Sequence, residues 1–60
     1  MRVLVAGRVG QIATELVARL PRAGHAVVAL EPPKLDITDA ASVARAFAEH
    51  QPEALVNAAA

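Results

Sequence analysis

The feature that most constrains this chain is a short apolar run that ends at a glycine loop and continues into a helical pattern. Residues 3–6 are apolar and rich in β-branched side chains, which predicts a strand buried on both faces, as in parallel sheets. After the loop Gly7-Arg8-Val9-Gly10, apolar residues recur at helical spacing, at Ile12, Leu16, Val17 and Leu20. Pro21 and Gly24 then end the helix. The chain therefore begins with a strand, a glycine loop and a helix.

A second strand completes a βαβ unit. Residues 26–30 form another apolar run of strand length. Pro32 and Pro33 follow Glu31 and close this strand, because proline cannot donate a backbone hydrogen bond to a sheet. Lys34-Leu35-Asp36-Ile37 alternates polar and apolar side chains, which predicts a very short edge strand.

The last third of the chain predicts a helix and one more strand. Thr38 or Asp39 is well placed to cap a helix over residues 40–50, which Pro52 ends. Residues 53–57 then read as another buried strand. We expect the core-facing stripe of the helix at Val43, Ala44, Phe47 and Ala48.

Two topologies are compatible with this order of elements. If residues 34–37 are only a loop, the strands run in the order 3-2-1 and both helices cover one face of the sheet. If residues 34–37 are a real edge strand, the strand near Glu53 returns beside the first strand in the order 3-2-1-4. We favour the second topology, which is an α/β class, partial Rossmann fold with a truncated parallel sheet and helices on both faces. Residues 1–60 are then the N-terminal part of one dinucleotide-binding domain.

Composition excludes several classes of function. The chain has no Cys and only two His, His25 and His50, so disulfide frameworks and protein metal sites are not expected. Its net charge is zero and its only aromatic residue is Phe47, which argues against a nucleic-acid surface. The N-terminal apolar run is too short for a signal peptide or a membrane span, so the expected compartment is the cytoplasm. With 60 residues, of which fifteen are Ala, the chain is expected to be a piece of a larger protein.

The glycine loop predicts a phosphate site. Gly7 permits a tight turn, and Gly10 lets the backbone approach a pyrophosphate closely. Free N–H groups near Gly10 and Gln11, together with the helix dipole, favour an anion without a basic side chain. Ala13 stands where a third small residue packs the helix against the strand. Such glycines also occur in strand-to-helix turns for steric reasons alone, so the loop by itself is a weak signal.

An acidic residue and two cations extend this hypothesis toward a nucleotide. Glu31 follows the second strand, about 20 residues after the glycines, where an acid meets the ribose hydroxyls of a dinucleotide. The alternative is a solvated turn residue before two prolines. Arg8 and Lys34 favour a 2′-phosphate, which Glu31 would repel. The sequence therefore leaves NADH and NADPH open.

Four segments together resemble the beginning of the dTDP-4-dehydrorhamnose reductases, a family of the extended short-chain dehydrogenase/reductase superfamily. The resemblance covers this whole chain but only the first part of such a reductase. The segments are Val3-Leu4-Val5-Ala6-Gly7-Arg8-Val9-Gly10-Gln11, Ala29-Leu30-Glu31, Leu35-Asp36-Ile37-Thr38-Asp39 and Pro52-Glu53-Ala54-Leu55-Val56-Asn57-Ala58-Ala59-Ala60.

The resemblance implies a role for each matching residue. Gly7 and Gly10 would hold the pyrophosphate, Asp36 and Ile37 would contact the adenine, and Ala58 would line the ribose side of the cofactor. The cofactor is NADPH or NADH. The expected contact set is Gly7, Arg8, Val9, Gly10, Gln11, Ile12, Glu31, Asp36, Ile37, Ala58, Ala59 and Ala60. Read without the resemblance, Asp36, Asp39 and Asn57 are turn, cap and strand-end residues.

The resemblance also implies what this chain lacks. Reductases of the superfamily use a Tyr as proton donor with a Lys four residues later, whereas this sequence has no Tyr and its one Lys is Lys34. No catalytic residue is therefore expected here. An intact parent would reduce dTDP-4-keto-6-deoxy-L-mannose to dTDP-L-rhamnose. A homodimer is one assembly open to this parent. The alternatives are another sugar-nucleotide epimerase or dehydratase, or a non-catalytic dinucleotide-binding subunit similar to the regulatory subunit of methionine adenosyltransferase.

Overall fold

Three parallel strands and two α-helices make up the computed structural model, which describes residues 1–8 and 10–58. Val9, Ala59 and Ala60, three residues of the expected cofactor set, lie outside the described residues. The sheet order is β2-β1-β3, with Val3 opposite both Val27 and Ala54. The elements are β1 Arg2–Ala6, α1 Gln11–Arg19, a 3₁₀ turn Pro21–Ala23, β2 Ala26–Leu30, α2 Ala40–His50 and β3 Ala54–Asn57.

The two helices cover opposite faces of the sheet. Val3 and Val5 of β1 point toward α1 and pack in one cluster with Ala13. Leu4 and Ala6 point the other way and pack with Ala46 of α2. Because successive strand residues face opposite sides, one central strand supplies both cores. The parallel α/β class with helices on both faces is therefore confirmed.

The predicted edge strand at residues 34–37 is wrong. These residues form a turn and a loop beyond β2, and the strand that starts at Ala54 nevertheless lies beside β1. The backbone nitrogens of Lys34 and Leu35 donate to the Glu31 carbonyl, at 2.9 and 3.2 Å, so they are already used within the turn. Leu35 is 2% exposed and packs with Leu4 and Ala6. The buried Leu35 therefore anchors this loop on the sheet face that α2 covers, and no edge strand is needed.

The core-facing side of α1 differs from its predicted stripe. Leu16 and Leu20 pack toward the sheet as expected, but Ile12 and Val17 are 64% and 44% exposed. The contact is centred on Ala13, which is fully buried, so the helix lies close to β1 along the 13, 16, 20 direction. Ile12 and Val17 lie outside that narrow stripe.

The core-facing side of α2 is also rotated from the prediction. Its buried residues are Ser42 and Ala46, with Val43 half-buried, whereas Ala44, Phe47 and Ala48 are exposed. The Ser42 hydroxyl accepts a hydrogen bond from the Asp36 nitrogen at 2.9 Å, and this contact turns the serine inward. The helix bounds themselves match the prediction, as does the cap at Asp39, whose carboxylate accepts from the Ala41 nitrogen at 3.0 Å. Among the described residues, no helix has the length and apolarity to span a bilayer.

Candidate functional site

The loops that follow the three strands meet at the carboxyl edge of the sheet. Gly7 follows β1, and its backbone nitrogen donates to the carbonyl of Leu30, the last residue of β2, at 2.6 Å. Ala58 follows β3, and its nitrogen donates to the Ala6 carbonyl at 2.9 Å. Ligands of open α/β sheets bind at this edge, where crossovers leave in opposite directions.

Two glycines give the first loop its path. Gly7 has φ 118° and Gly10 has φ 102°, in the region that side chains of L-residues disfavour. A Cβ added to Gly10 would meet no described atom within 4 Å, so the space over this residue is open. The backbone at Gly10 is therefore accessible to a ligand, and the positive φ explains why glycine occupies the position.

The first turn of α1 carries no side-chain cap from the described residues and contains no acidic residue. The N–H groups of this turn have no partner within a helix, because the first turn lies ahead of the carbonyls that would accept them. A site of this kind has the chemistry to bind a phosphate, and the open space over Gly10 leaves room for one. The loop and helix start thus fit the pyrophosphate of a dinucleotide.

Close packing of α1 on the sheet places this helix start at the edge. Ala13, the small residue predicted for this contact, is fully buried against Val3 and Val5. The Thr14 nitrogen and hydroxyl both contact the Gly10 carbonyl, at 3.1 and 2.8 Å, which fixes the first turn onto the loop.

The cavity between the glycine loop and the turn after β2 brings together the charged residues predicted to lie near the adenosine ribose. Its volume is about 330 Å³, and Glu31 is half-buried in its wall. Arg8 borders it from the glycine loop and Lys34 from the turn after β2. The full lining is Arg8, Ala29, Leu30, Glu31, Pro32, Pro33 and Lys34. Three of the charged residues singled out in the sequence therefore share one cavity.

Asp36 and Ile37, the residues expected to contact adenine, lie in the loop before α2 and do not line that cavity. One carboxylate oxygen of Asp36 accepts from the Thr38 nitrogen at 3.0 Å and from the Thr38 hydroxyl at 2.6 Å. These two hydrogen bonds hold the pKa of Asp36 below its ordinary value, and the one from the Thr38 hydroxyl has the larger effect. The structure thus gives Asp36 the role of a turn residue, and its adenine contact stays a prediction.

The remaining predicted residues are distributed along the same edge. Gln11 and Ile12 begin α1 and are exposed, so both are accessible beside Gly10. Ala58 is half-buried and packs with the cluster beneath α1. Asn57 ends β3 and is exposed there.

Ser42 is a residue that the sequence reasoning missed. It is 2% exposed, and its hydroxyl holds the backbone nitrogen of Asp36, which fixes the loop between Glu31 and α2. A serine inside an amphipathic helix gives no distinctive sequence signal, since serine is also common on exposed helix faces.

His25 lies at the opposite end of the sheet and has a structural contact. Its Nδ1 lies 2.9 Å from the N-terminal nitrogen of Met1. Nearby, the Glu53 carboxylate accepts from the Arg2 nitrogen at 2.9 Å, which ties the start of β3 to β1. Across residues 1–8 and 10–58, no group of three or more His, Cys, Asp or Glu side chains could hold a metal ion.

Comparison with known protein families gives a match along the entire chain. Residues 1–60 match the family described as RmlD substrate binding domain. The chain belongs to this family. The prediction from the four sequence segments is confirmed by this match together with a relative described next, a dTDP-4-dehydrorhamnose reductase.

Three curated relatives show the same similarity. The dTDP-4-dehydrorhamnose reductase of Streptomyces griseus is 51% identical over 59 residues, covering 98% of this chain and 19% of the relative. The spore coat polysaccharide biosynthesis protein SpsK of Bacillus subtilis (strain 168) is 42% identical over 59 residues, covering 98% and 21%. The probable dTDP-4,6-dihydroxy-2-methyloxan-3-one 4-ketoreductase of Streptomyces antibioticus is 43% identical over 60 residues, covering 100% and 20%.

The chain spans about a fifth of the length of these relatives. No solved structure shows a significant match to it.

Proposed function

We propose that this chain is the N-terminal, cofactor-binding part of an NAD(P)H-dependent reductase of 4-keto sugar nucleotides. The observation that carries the proposal is the start of α1, which lacks a side-chain cap among the described residues and lies beside the open space over Gly10. A dinucleotide pyrophosphate is the anion that this position of an α/β sheet commonly binds.

Different residues of the chain would bind different parts of the dinucleotide. Backbone N–H groups at Gln11 and Ile12 would hold the pyrophosphate, with Gly7 and Gly10 providing the close approach. Glu31, which follows β2, would accept hydrogen bonds from ribose hydroxyls in the cavity that it lines. Ala58 follows β3 and would line the ribose side of the cofactor with a small side chain.

The bound nicotinamide would supply the hydride that reduces the substrate carbonyl. The Tyr and Lys pair that the resemblance implies as proton donor is not in this chain, because the sequence contains no Tyr and its one Lys is Lys34, in the turn after β2. We propose that a Tyr-x-x-x-Lys pair in the remainder of the protein provides it, in line with the resemblance to the reductase family.

The names of the relatives support ketone reduction over epimerisation or dehydration. One is named a dTDP-4-dehydrorhamnose reductase and another a probable 4-ketoreductase of a dTDP-linked sugar. We propose the corresponding reaction here, with dTDP-4-keto-6-deoxy-L-mannose as substrate and dTDP-L-rhamnose as product.

The direct test is an assay of the full-length protein with dTDP-4-keto-6-deoxy-L-mannose. We expect substrate-dependent oxidation of the reduced nicotinamide, followed by absorbance, and a product identified as dTDP-rhamnose by chromatography. Binding of the dinucleotide without turnover of any 4-keto sugar nucleotide would instead support the non-catalytic subunit. No binding of either dinucleotide would contradict the cofactor role of the glycine loop.

A further inference from the structure

Thr14, one turn into α1, contacts the peptide unit whose N–H group belongs to the proposed pyrophosphate site. Its backbone nitrogen donates to the Gly10 carbonyl at 3.1 Å, and its hydroxyl donates to the same oxygen at 2.8 Å. We infer that Thr14 is a positioning residue, whose hydroxyl holds the peptide between Gly10 and Gln11 so that the Gln11 N–H points at the pyrophosphate. This inference rests on the proposed function, because it requires a dinucleotide at the start of α1.

The geometry of the peptide unit links the Thr14 hydroxyl to the Gln11 N–H. A trans peptide unit is planar, so its C=O and N–H groups point in opposite directions. The Gly10 carbonyl points into α1, toward the two donors of Thr14. The N–H of Gln11 lies in the same peptide unit and therefore points out of the helix start. A group that fixes the direction of the carbonyl thus fixes the direction of the donor.

Gly10 is a residue whose peptide benefits from such a restraint. Glycine has no side chain and adopts positive and negative φ about equally readily, so the backbone at this position is intrinsically flexible. A Cβ built on Gly10 would meet no described atom within 4 Å, which shows that the loop is not packed from above. The first turn of α1 also has no side-chain cap from the described residues. The two hydrogen bonds from Thr14 therefore restrain an otherwise open loop.

The position of the hydroxyl distinguishes this role from a contribution to the core. Thr14 and Gly10 are both exposed, whereas the neighbouring Ala13 is fully buried against β1. Loss of the hydroxyl leaves no buried polar atom without a partner, so the fold should tolerate it. A hydroxyl bonded to the carbonyl four residues earlier is common in helices. Here that carbonyl belongs to the N-cap residue, whose peptide faces the proposed site.

The test measures binding of NADP⁺ and NAD⁺ to the full-length protein by isothermal titration calorimetry. Thr14→Val keeps the branched shape of the side chain and removes the hydroxyl. We expect it to weaken both dinucleotides by the same factor, about threefold, because both carry the same pyrophosphate and one hydrogen bond is lost. Thr14→Ser retains the hydroxyl and should stay within about twofold of the unchanged protein. Thr14→Ala is a second variant without the hydroxyl, with a better helix former, and should show the same loss as Thr14→Val.

Arg19→Ala is the matched control on the same helix. It removes the exposed ion pair between Arg19 and Glu15, at 2.7 Å, without touching the loop. Exposed pairs of this kind contribute little to stability. We expect both dinucleotide affinities to stay unchanged in this variant.

A double-mutant cycle tests the route through the Gln11 N–H. Gln11→Pro removes this N–H at the first helical position, which proline favours, and the ψ of 162° at Gly10 is close to the extended backbone found before proline. Gln11→Ala removes the side chain alone and separates its contribution. In the Gln11→Pro background, Thr14→Val should weaken binding by less than about 1.5-fold, because the donor that Thr14 positions is already absent.

The outcomes separate this inference from the proposed function. Unchanged affinity for both dinucleotides in Thr14→Val and Thr14→Ala would overturn the positioning role and leave the pyrophosphate site in place. The same loss with and without Gln11→Pro, or a loss in Thr14→Ser as large as in Thr14→Val, would also overturn it. Absence of binding of either dinucleotide by the unchanged protein would overturn the proposed function as well. Thermal unfolding followed by circular dichroism shows whether each variant is folded at the temperature of the titration.

Discussion

The two helices of this chain begin in opposite ways. Helix α2 starts at Asp39, whose extended backbone and carboxylate cap the Ala41 nitrogen at 3.0 Å. Helix α1 starts at Gly10, which has a positive φ and no side chain with which to cap the first turn. Both helices need partners for their first N–H groups. In α1, the N-cap residue provides no side-chain acceptor for these N–H groups.

The difference follows from the place of each helix start in the fold. Asp39 precedes α2 in a loop held by Asp36, Thr38 and Ser42, where a self-contained cap stabilises the turn. Gly10 follows β1 at the carboxyl edge, where crossovers diverge and a ligand can approach. An acidic cap at Gly10 would satisfy the helix but would also repel a phosphate. The comparison therefore distinguishes a helix start with its own side-chain cap from the helix start that we propose binds the pyrophosphate.

The largest expected effect is the loss of dinucleotide affinity in Gly10→Val. A β-branched side chain at φ 102° and ψ 162° strains the backbone by about 1–3 kcal/mol and fills the open space over the loop. We expect the affinity for NADP⁺ to fall by more than about tenfold, measured by calorimetry on the full-length protein.

Gly24→Ala is the control for that strain. Gly24 has φ 91° and open space around it, but it caps the 3₁₀ turn away from the loop. It should lower the thermal midpoint without changing the affinity for NADP⁺. Unchanged affinity in Gly10→Val would remove α1 from the binding role.

Ser42→Ala tests whether the start of α2 is purely structural. It leaves the half-buried Asp36 nitrogen without its partner, which should cost about 1–3 kcal/mol of unfolding free energy. Urea unfolding of the full-length protein measures the loss. Exposed Ala41→Ser adds a hydroxyl on the same helix without removing a contact, and it should change stability by less than about 0.5 kcal/mol. Equal stability of the two variants would show that Ser42 does not hold the loop.

Asp39→Ala removes the α2 cap and should cost about 1 kcal/mol of unfolding free energy. Affinity for NADP⁺ should stay the same, because the cap lies away from the glycine loop. Asp39→Asn keeps an accepting oxygen and should retain most of the stability. A loss of NADP⁺ affinity in Asp39→Ala, without loss of stability, would contradict the distinction between the two helix starts.

The smallest expected effect is on the pH dependence of stability, through the contact between Arg2 and Glu53 at the amino ends of β1 and β3. The backbone hydrogen bond from Arg2 holds the pKa of Glu53 below its ordinary 4.5, so the folded state binds fewer protons than the unfolded state near this pH. The stabilisation is present above pH 4.5 and is lost as pH falls through the lowered pKa. Urea midpoints measured from pH 6 to pH 3 should therefore fall less steeply in Glu53→Gln than in the unchanged protein. Identical pH profiles would show that the Arg2 to Glu53 contact contributes nothing.

Sequence patterns predicted the strands and helices because the strands are continuous apolar runs and the helices have apolar residues at helical spacing. The short alternation at residues 34–37 misled the prediction, since four residues cannot distinguish an edge strand from a loop that buries one leucine, Leu35. The helix faces were only partly predicted. Ile12 and Val17 are apolar, but they are exposed because α1 contacts β1 through the narrow stripe around Ala13.

The candidate site, like the helix faces, was only partly predictable from the sequence. Glycine spacing identified the loop, because positive φ at Gly7 and Gly10 needs that residue. The sequence analysis already placed Arg8, Glu31 and Lys34 near one ribose, and the structure adds the turn after β2 that brings Lys34 to the wall of the shared cavity. Ser42 required knowledge of which backbone nitrogen it faces.

The most direct test of the account is an amide chemical-shift map of the isotope-labelled full-length protein titrated with NADP⁺. We predict large shifts at Gly10, Gln11 and Ile12, at the start of α1, and little change at Ala41 and Ser42, at the start of α2. Shifts confined to α2, or binding without any change at the start of α1, would contradict the claim that the uncapped helix start holds the pyrophosphate.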